Sequence, residues 1–286
     1  MNKHEKKDRR TNEVWRRLKK NRVAVVSLFV LLFIFLIALL APVIAPYSYE
    51  TADLRRGLER SSKDHLLGTD RLGRDVLSRL IYGARQSLQM GIFAVTGATL
   101  VGICVGAIAG FYGGFTDNLI MRLLDLFHGI PMFLLTITLA AVLGPSLRNA
   151  IIAIGISFMP GSARLMRASI LTVRGMEYIE AARVLNASNG RIIRRHIIPN
   201  AIAPVIVSYT MSMGMAVLSG AALSFIGLGV QPPIPEWGAM ISDARDFMRA
   251  QPQLALYPGI CVMITVLAFN MLGDGLRDAL DPRLRK

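Results

Sequence analysis

Lysine is nearly absent from most of this chain. Seven occur, six of them before residue 64 and the last at Lys286, and there is no Gly-Lys dipeptide. A nucleotide-binding P-loop needs a Gly-Lys step so that the amine reaches the β- and γ-phosphates. The chain therefore carries no P-loop, and any ATP hydrolysis has to come from a partner. Cysteine is scarce too. Cys104 and Cys261 both sit in apolar runs, the setting of small buried hydrophobes rather than of a disulfide scaffold or metal site. Charged residues are 18% of the chain, against about 25% in an ordinary soluble domain. In their place stand 53% hydrophobic residues and a mean hydropathy of +0.45. The net charge is nevertheless +14. That charge alone would point to nucleic acid, but a soluble protein this apolar would aggregate. The composition excludes disorder and collagen-like repeats and implies an all-α integral membrane protein whose charge is confined to its loops.

A spanning helix needs about 20 mostly apolar residues. Six segments qualify: 23–45, 88–111, 119–143, 149–166, 201–228 and 255–273. The first follows a tail, residues 1–22, with ten Lys/Arg. Its apolar run is longer than a signal-peptide core and lacks a good cleavage site, so an uncleaved first span is expected. With the N-terminus placed in the cytoplasm, inside segments hold 21 Lys/Arg and outside segments 11, which fits the positive-inside rule. The outer loop 46–87 holds eight basic residues but also six acids. Both termini are expected inside, with 274–286 as a cytoplasmic tail and 88–273 as the core. Mapped this way, the +14 is largely a topology label.

Within the spans, Gly102, Gly106 and Gly110 have the spacing that lets two helix backbones approach in lipid. Arg122 and Asp125 lie three apart on one face and His128 continues it. They form either a mutually neutralising pair near the interface or the lining of a polar path. Pro131 is expected to kink that span. Met211 and Met215 share a face with Leu218 and Ala222, as packed or lipid-facing filling or as a tolerant path lining. The outer stretch 231–249, with Trp237, Asp243 and Arg245, reads either as an interfacial amphipathic helix anchored by Trp237 or as a surface for an outside partner.

The most informative segment is 174–200, RGMEYIEAARVLNASNGRIIRRHIIPN. Residues 177–185 favour a helix that Asn186 can stop, since Asn tolerates the left-handed conformation beyond a C-terminus. A second, basic helix with Arg191, Arg194 and Arg195 runs until Pro199. Two short helices joined by a tight turn make a knob, fit for anionic lipid or for docking a protein. Here the residues resemble the EAA loop of bacterial ABC importer permeases. Glu180, Ala181, Ala182 and Pro199 match its pattern; Asn186 replaces the usual Gly and Ile198 the usual Leu. HLLGTDRLGRDVLSRLIYGARQSL (65–88), QPPIPEWGAM (231–240) and LGDGLRDALDPRL (272–284) are similar to the C-type permease of the dipeptide/oligopeptide branch, which also serves nickel.

The resemblance implies a type I importer permease fold, one N-terminal helix plus a five-helix core. It also implies a homologous B-type permease, two ABC ATPases that bind ATP and Mg, and an extracytoplasmic solute-binding protein. No cofactor is expected on this chain itself. Glu180, Ala181, Ala182, Arg183 and Asn186 would couple to an ATPase. Trp237, Asp243 and Arg245 would meet the binding protein. An ion-coupled carrier or a membrane anchor are the readings from other classes.

Overall fold

The computed structural model describes residues 15–280. The expected N-terminal and C-terminal tails thus fall partly outside the described residues, at 1–14 and 281–286.

The first apolar run is α1 (Arg22–Ile44). Asn21 caps it by accepting the Ala24 N–H at 3.1 Å, which satisfies one donor that a helix start leaves open. Only Ala24, Ser27, Ala38 and Ala41 are buried, while Phe29, Phe33 and Val43 point outward. A helix apolar all round belongs in lipid or a core. Next comes α2 (Val76–Tyr112), 37 residues long. At 1.5 Å per residue it spans about 55 Å, well beyond the roughly 30 Å of a bilayer core. It starts twelve residues before the expected span, because Asp75 accepts the Ser78 N–H at 2.7 Å and nucleates the helix there. Hydropathy marks only the lipid-embedded part.

The expected span 119–143 is broken. It forms α3 (Gly114–His128) and α4 (Met132–Leu143), bent by 83°. Pro131 has no N–H to continue the ladder and suits a helix start instead. Among the described residues, five helices are long and apolar enough to cross a membrane, or six if the bent pair is one span. α5 (Leu147–Val173) runs past its expected end and carries Arg164 and Arg167. The knob holds α6 (Glu177–Val184), α7 (Asn189–Ile192), a π-turn over Ile193–Ile197 and α8 (Ile198–Ala201). The basic helix expected to stop at Pro199 instead continues through it. The proline ring crowds the carbonyl four residues back, and the turn widens so that Ile198 N–H reaches the Ile193 carbonyl. α9 (Ala203–Phe225), α10 (Trp237–Ala244) and α11 (Gln253–Leu280) complete the chain.

α2 and α5 run parallel and form the spine. A Cβ on Gly102 would sit 2.6 Å from Ser162 Cβ, on Gly106 2.3 Å from the Ala163 carbonyl oxygen, and on Gly110 3.0 Å from Ile170. The four-residue spacing is thus a backbone contact surface. α9 and α11 cross antiparallel, with Gly214 against Val266 and Gly273 against Met211. One end of the molecule gathers the start of α1, the knob and the end of α11, where Leu18, Ala24 and Ala279 pack together. The other end gathers segments 45–75 and 226–252. There Gln251 donates to the Leu58 carbonyl and Arg79 to the Pro233 carbonyl at 3.3 Å.

Gly106→Ala is expected to destabilise the chain by about 1–3 kcal/mol, the usual cost of overpacking. Gly97→Ala on the same helix, where nothing lies within 4 Å of an added Cβ, is expected to be neutral. Thermal unfolding in detergent compares the two.

Candidate functional site: a projecting knob and a concave helix face

The knob is built around its turn. α6 ends at Val184 and Asn186 takes φ 57°. Asn186 N–H bonds the Arg183 carbonyl at 2.9 Å and Ala187 N–H the Ala182 carbonyl at 3.1 Å. This double bond pattern is a Schellman cap, and Asn is one of the few side chains that tolerates the left-handed residue it requires. Ile179, Ala182, Ile192 and Ile197 are buried in one cluster with Met166 and Ile170 of α5 and Val205 of α9. The knob is thereby joined to two long helices. Arg183 sits over the Phe111 ring, 5.9 Å from its centre, and Arg174 donates to the Gly110 carbonyl at 3.0 Å.

Of the expected coupling residues, Glu180, Ala181, Arg183 and Asn186 are exposed. Ala182 is not: it faces inward at 7% exposure, so it docks the helix onto its own core instead of touching a partner. Sequence reasoning passed over Val184 and Leu185, exposed at 86% and 81%. Two adjacent large aliphatic side chains at the close of a short helix, next to the turn residue Asn186, were the available signal.

Arg122 and Asp125 do not form the expected pair. Asp125 binds Arg164 of α5, while Arg122 is exposed and makes no ion pair among the described residues. About two turns nearer the start of α3, Asp117 holds Arg167 through both carboxylate oxygens at 2.5 Å. The two pairs tie α3 to α5, and neutralise charges that lipid would not tolerate singly. They join positions 39 and 50 residues apart in sequence, beyond any local spacing rule. His128 lies away from them, on a cavity of about 320 Å³ beside the α3–α4 break, with Phe127, Ser157, Phe158, Ser208 and Ser212. Met211 and Met215 line a larger, more open cavity of about 1040 Å³ between α9 and α11, with Ser208, Ser212, Asp274 and Arg277. Ser208 and Ser212 are common to both, so the two cavities are one concave surface along α9. Towards the other end of α9 the same face becomes wholly apolar at Leu218, Ala222 and Phe225.

The outer stretch departs most from expectation. Trp237 is 2% exposed, its Nε1–H donates to the Leu80 carbonyl at 3.1 Å, and its ring packs on Gly83 of α2. It is neither an interfacial anchor nor a partner contact. Beside it Glu236 is fully buried. It accepts from Ser87 Oγ at 2.7 Å and from the Ala239 N–H at 3.0 Å, capping α10. Burial pushes its carboxyl up, against those hydrogen bonds. Asp243 faces Arg74 at 3.6 Å and Arg71 at 3.9 Å, leaving Arg245 as the freest of the three candidates, 3.8 Å from Asp246. In the 45–75 segment Arg56 forks onto Glu59 and draws its carboxyl down to about 2.

The cap assigns a sign to substitutions at the turn. Asn186→Gly is expected to keep or slightly raise stability. Asn186→Val is expected to cost about 1–2 kcal/mol, read as a lower melting temperature with unchanged helical content.

Residues 102–286 match the family described as binding-protein-dependent transport system inner membrane component. Residues 10–60 match the N-terminal TM domain of oligopeptide transport permease C. The chain is 48% identical to a dipeptide transport system permease protein of Alkalihalophilus pseudofirmus, over 96% of this chain and 90% of the relative. It is 44% identical to a glutathione transport system permease protein of Pectobacterium atrosepticum, over 96% and 91%. In fold it resembles the inward-facing MetNI methionine ABC transporter, at TM-score 0.58 and 18% identity over 71% of this chain and 97% of that one. An amino acid ABC transporter matches at 0.53 and 17%, over 68% and 91%. The profile match, the near full-length relatives and the shared helix arrangement agree: the chain belongs to the family of binding-protein-dependent transport system inner membrane components, as a multi-pass permease subunit with the type I ABC importer fold.

Proposed function

We propose that this chain is one of two permease subunits in an ATP-driven importer of short peptides. It forms half of the path and couples it to two ABC ATPases, which bind ATP and Mg. A homologous permease would cover the concave face of α9, and an extracytoplasmic solute-binding protein would deliver cargo at the end formed by 45–75 and 226–252. Relatives named for dipeptide and glutathione transport support the cargo class. Family membership sets aside the ion-coupled carrier and the simple anchor. Asn200 at the close of the knob borders the same cavity as Arg277 and Leu280 at the end of α11, where Ala279 packs with Leu18 and Ala24 at the start of α1, the helix that follows the basic tail in sequence. By the positive-inside rule that end lies in the cytoplasm, with both termini.

The observation that carries the coupling role is the knob itself. It has an exposed rim of Glu180, Val184 and Leu185 over a buried base continuous with α5 and α9. A partner moving that rim moves both helices as one body, which is the rigid-body route to alternating access. Burying the two apolar side chains would favour docking by about 1.5–3 kcal/mol each.

The test is Glu180→Lys and Val184→Asp in the assembled complex. Both are expected to reach the membrane at normal levels, to lose uptake at least tenfold, and to release the ATPases during purification. Normal uptake with normal ATPase retention in both variants would overturn the coupling role.

A further inference from the structure

Several hydroxyl groups in the long helices share one habit. Ser27, Ser157, Ser169, Thr210, Ser219 and Thr265 each donate to the carbonyl four residues earlier, at 2.7–3.1 Å. This is the usual way for a helical Ser or Thr to satisfy itself. Others do not share it: Ser87 bonds Glu236, Thr96 bonds Tyr209, and Thr99 on α2 is buried with no partner among the described residues. Ser162 on α5 and Ser208 and Ser212 on α9 make no hydrogen bond to another described residue, although all three are half-buried. All three line the same cavity, the one beside the α3–α4 break. Its volume of about 320 Å³ falls within the roughly 300–1,000 Å³ of small-molecule sites.

The rest of the lining fits one kind of occupant. Among the described residues, no Asp, Glu, Lys or Arg borders the cavity. The serine hydroxyls both donate and accept, and His128 offers a ring nitrogen of either kind. Phe127 and Phe158 supply apolar wall. Pro131 and Met132 also border it, at the start of α4, which has no side-chain cap. Irregular backbone at membrane depth persists where it lines a polar or watered space, in keeping with an occupant that forms hydrogen bonds. A peptide main chain offers one N–H and one C=O per residue whatever its side chains. A lining with both donors and acceptors but no fixed charge suits that repeating pair, and does not sort cargo by side-chain charge.

We propose that this cavity is a transit site for the main chain of the transported peptide, held by hydrogen bonds with Ser162, Ser208 and Ser212. The site rests on the peptide-importer reading above and adds to it that the membrane path reads backbone, not side chain. Its two walls, α5 and α9, both share a buried cluster with the knob, so motion of the knob carries the cavity, and a peptide held in it, along with the two helices.

The test uses the whole complex, both permeases and both ATPases with the binding protein, in proteoliposomes. Uptake is measured for three dipeptides with acidic, neutral and basic side chains. The triple variant Ser162→Ala, Ser208→Ala, Ser212→Ala is expected to lower the uptake rate about tenfold for all three alike, the equivalent of one or two ordinary hydrogen bonds lost. Assembly and ATP hydrolysis stimulated by loaded binding protein should stay at wild-type level. In parallel, Ser208→Cys in a chain with Cys104→Ala and Cys261→Ala is expected to react with a small thiosulfonate, and millimolar dipeptide is expected to slow that reaction. Uptake at the wild-type rate in the triple variant, loss confined to one charge class, or labelling indifferent to peptide would each overturn the site. A wild-type complex that takes up none of the three dipeptides would overturn the cargo reading itself, and the site with it.

Discussion

Everything else in this molecule hangs on the contact between α2 and α5 at Gly102, Gly106 and Gly110. In lipid there is no hydrophobic drive to join two apolar helices, so close backbone approach has to supply the attraction through dispersion and fit. A methyl group at Gly106 would meet the Ala163 carbonyl oxygen at 2.3 Å; there is no room for one. With α5 fixed on that spine, its far end leads into the knob, its middle forms one wall of the serine cavity, and its arginines hold α3. One interface thus sets the coordinates of three functional features.

Charge in the spans is placed by the same spine. Arg164 and Arg167 extend from α5 to Asp125 and Asp117. Each pair spends no unpaired charge on lipid, and together they hold the first half of the broken helix against α5. The break then opens polar backbone where serines and His128 already face. The apolar stretch of α9 beyond Leu218 lies on the same face but at the opposite end. A polar half and an apolar half therefore divide the concave surface along its length.

Much of the fold was legible because lipid makes hydropathy a strong signal. The runs behind α1, α9 and α11 stood out directly, and the glycine spacing in α2 named its own role. The Asn186 turn was legible too, since few residues other than Gly accept its conformation. Three things were not. The polar start of α2 was hidden because a helix capped by Asp75 outside the bilayer needs no apolar pattern. Trp237 reads on sequence as an interface residue, and only the fold shows Gly83 clearing space for its ring. Asp125 has a nearer arginine in sequence, Arg122, than the one it binds, so spacing alone pointed to the wrong partner.

The Schellman turn in the knob has a consequence for how this segment can change over time. Its two hydrogen bonds count residues, linking Ala182 to Ala187 and Arg183 to Asn186. Exchanging an exposed residue of α6 leaves that count intact. Adding or removing one residue within α6 would rotate one end of the helix against the other by about 100°, since a turn holds 3.6 residues. Ile179 and Ala182 would then lose register with each other and with the rim. The knob is therefore a segment whose length is held more tightly than its composition: open to substitution on its rim, closed to insertion and deletion in its frame.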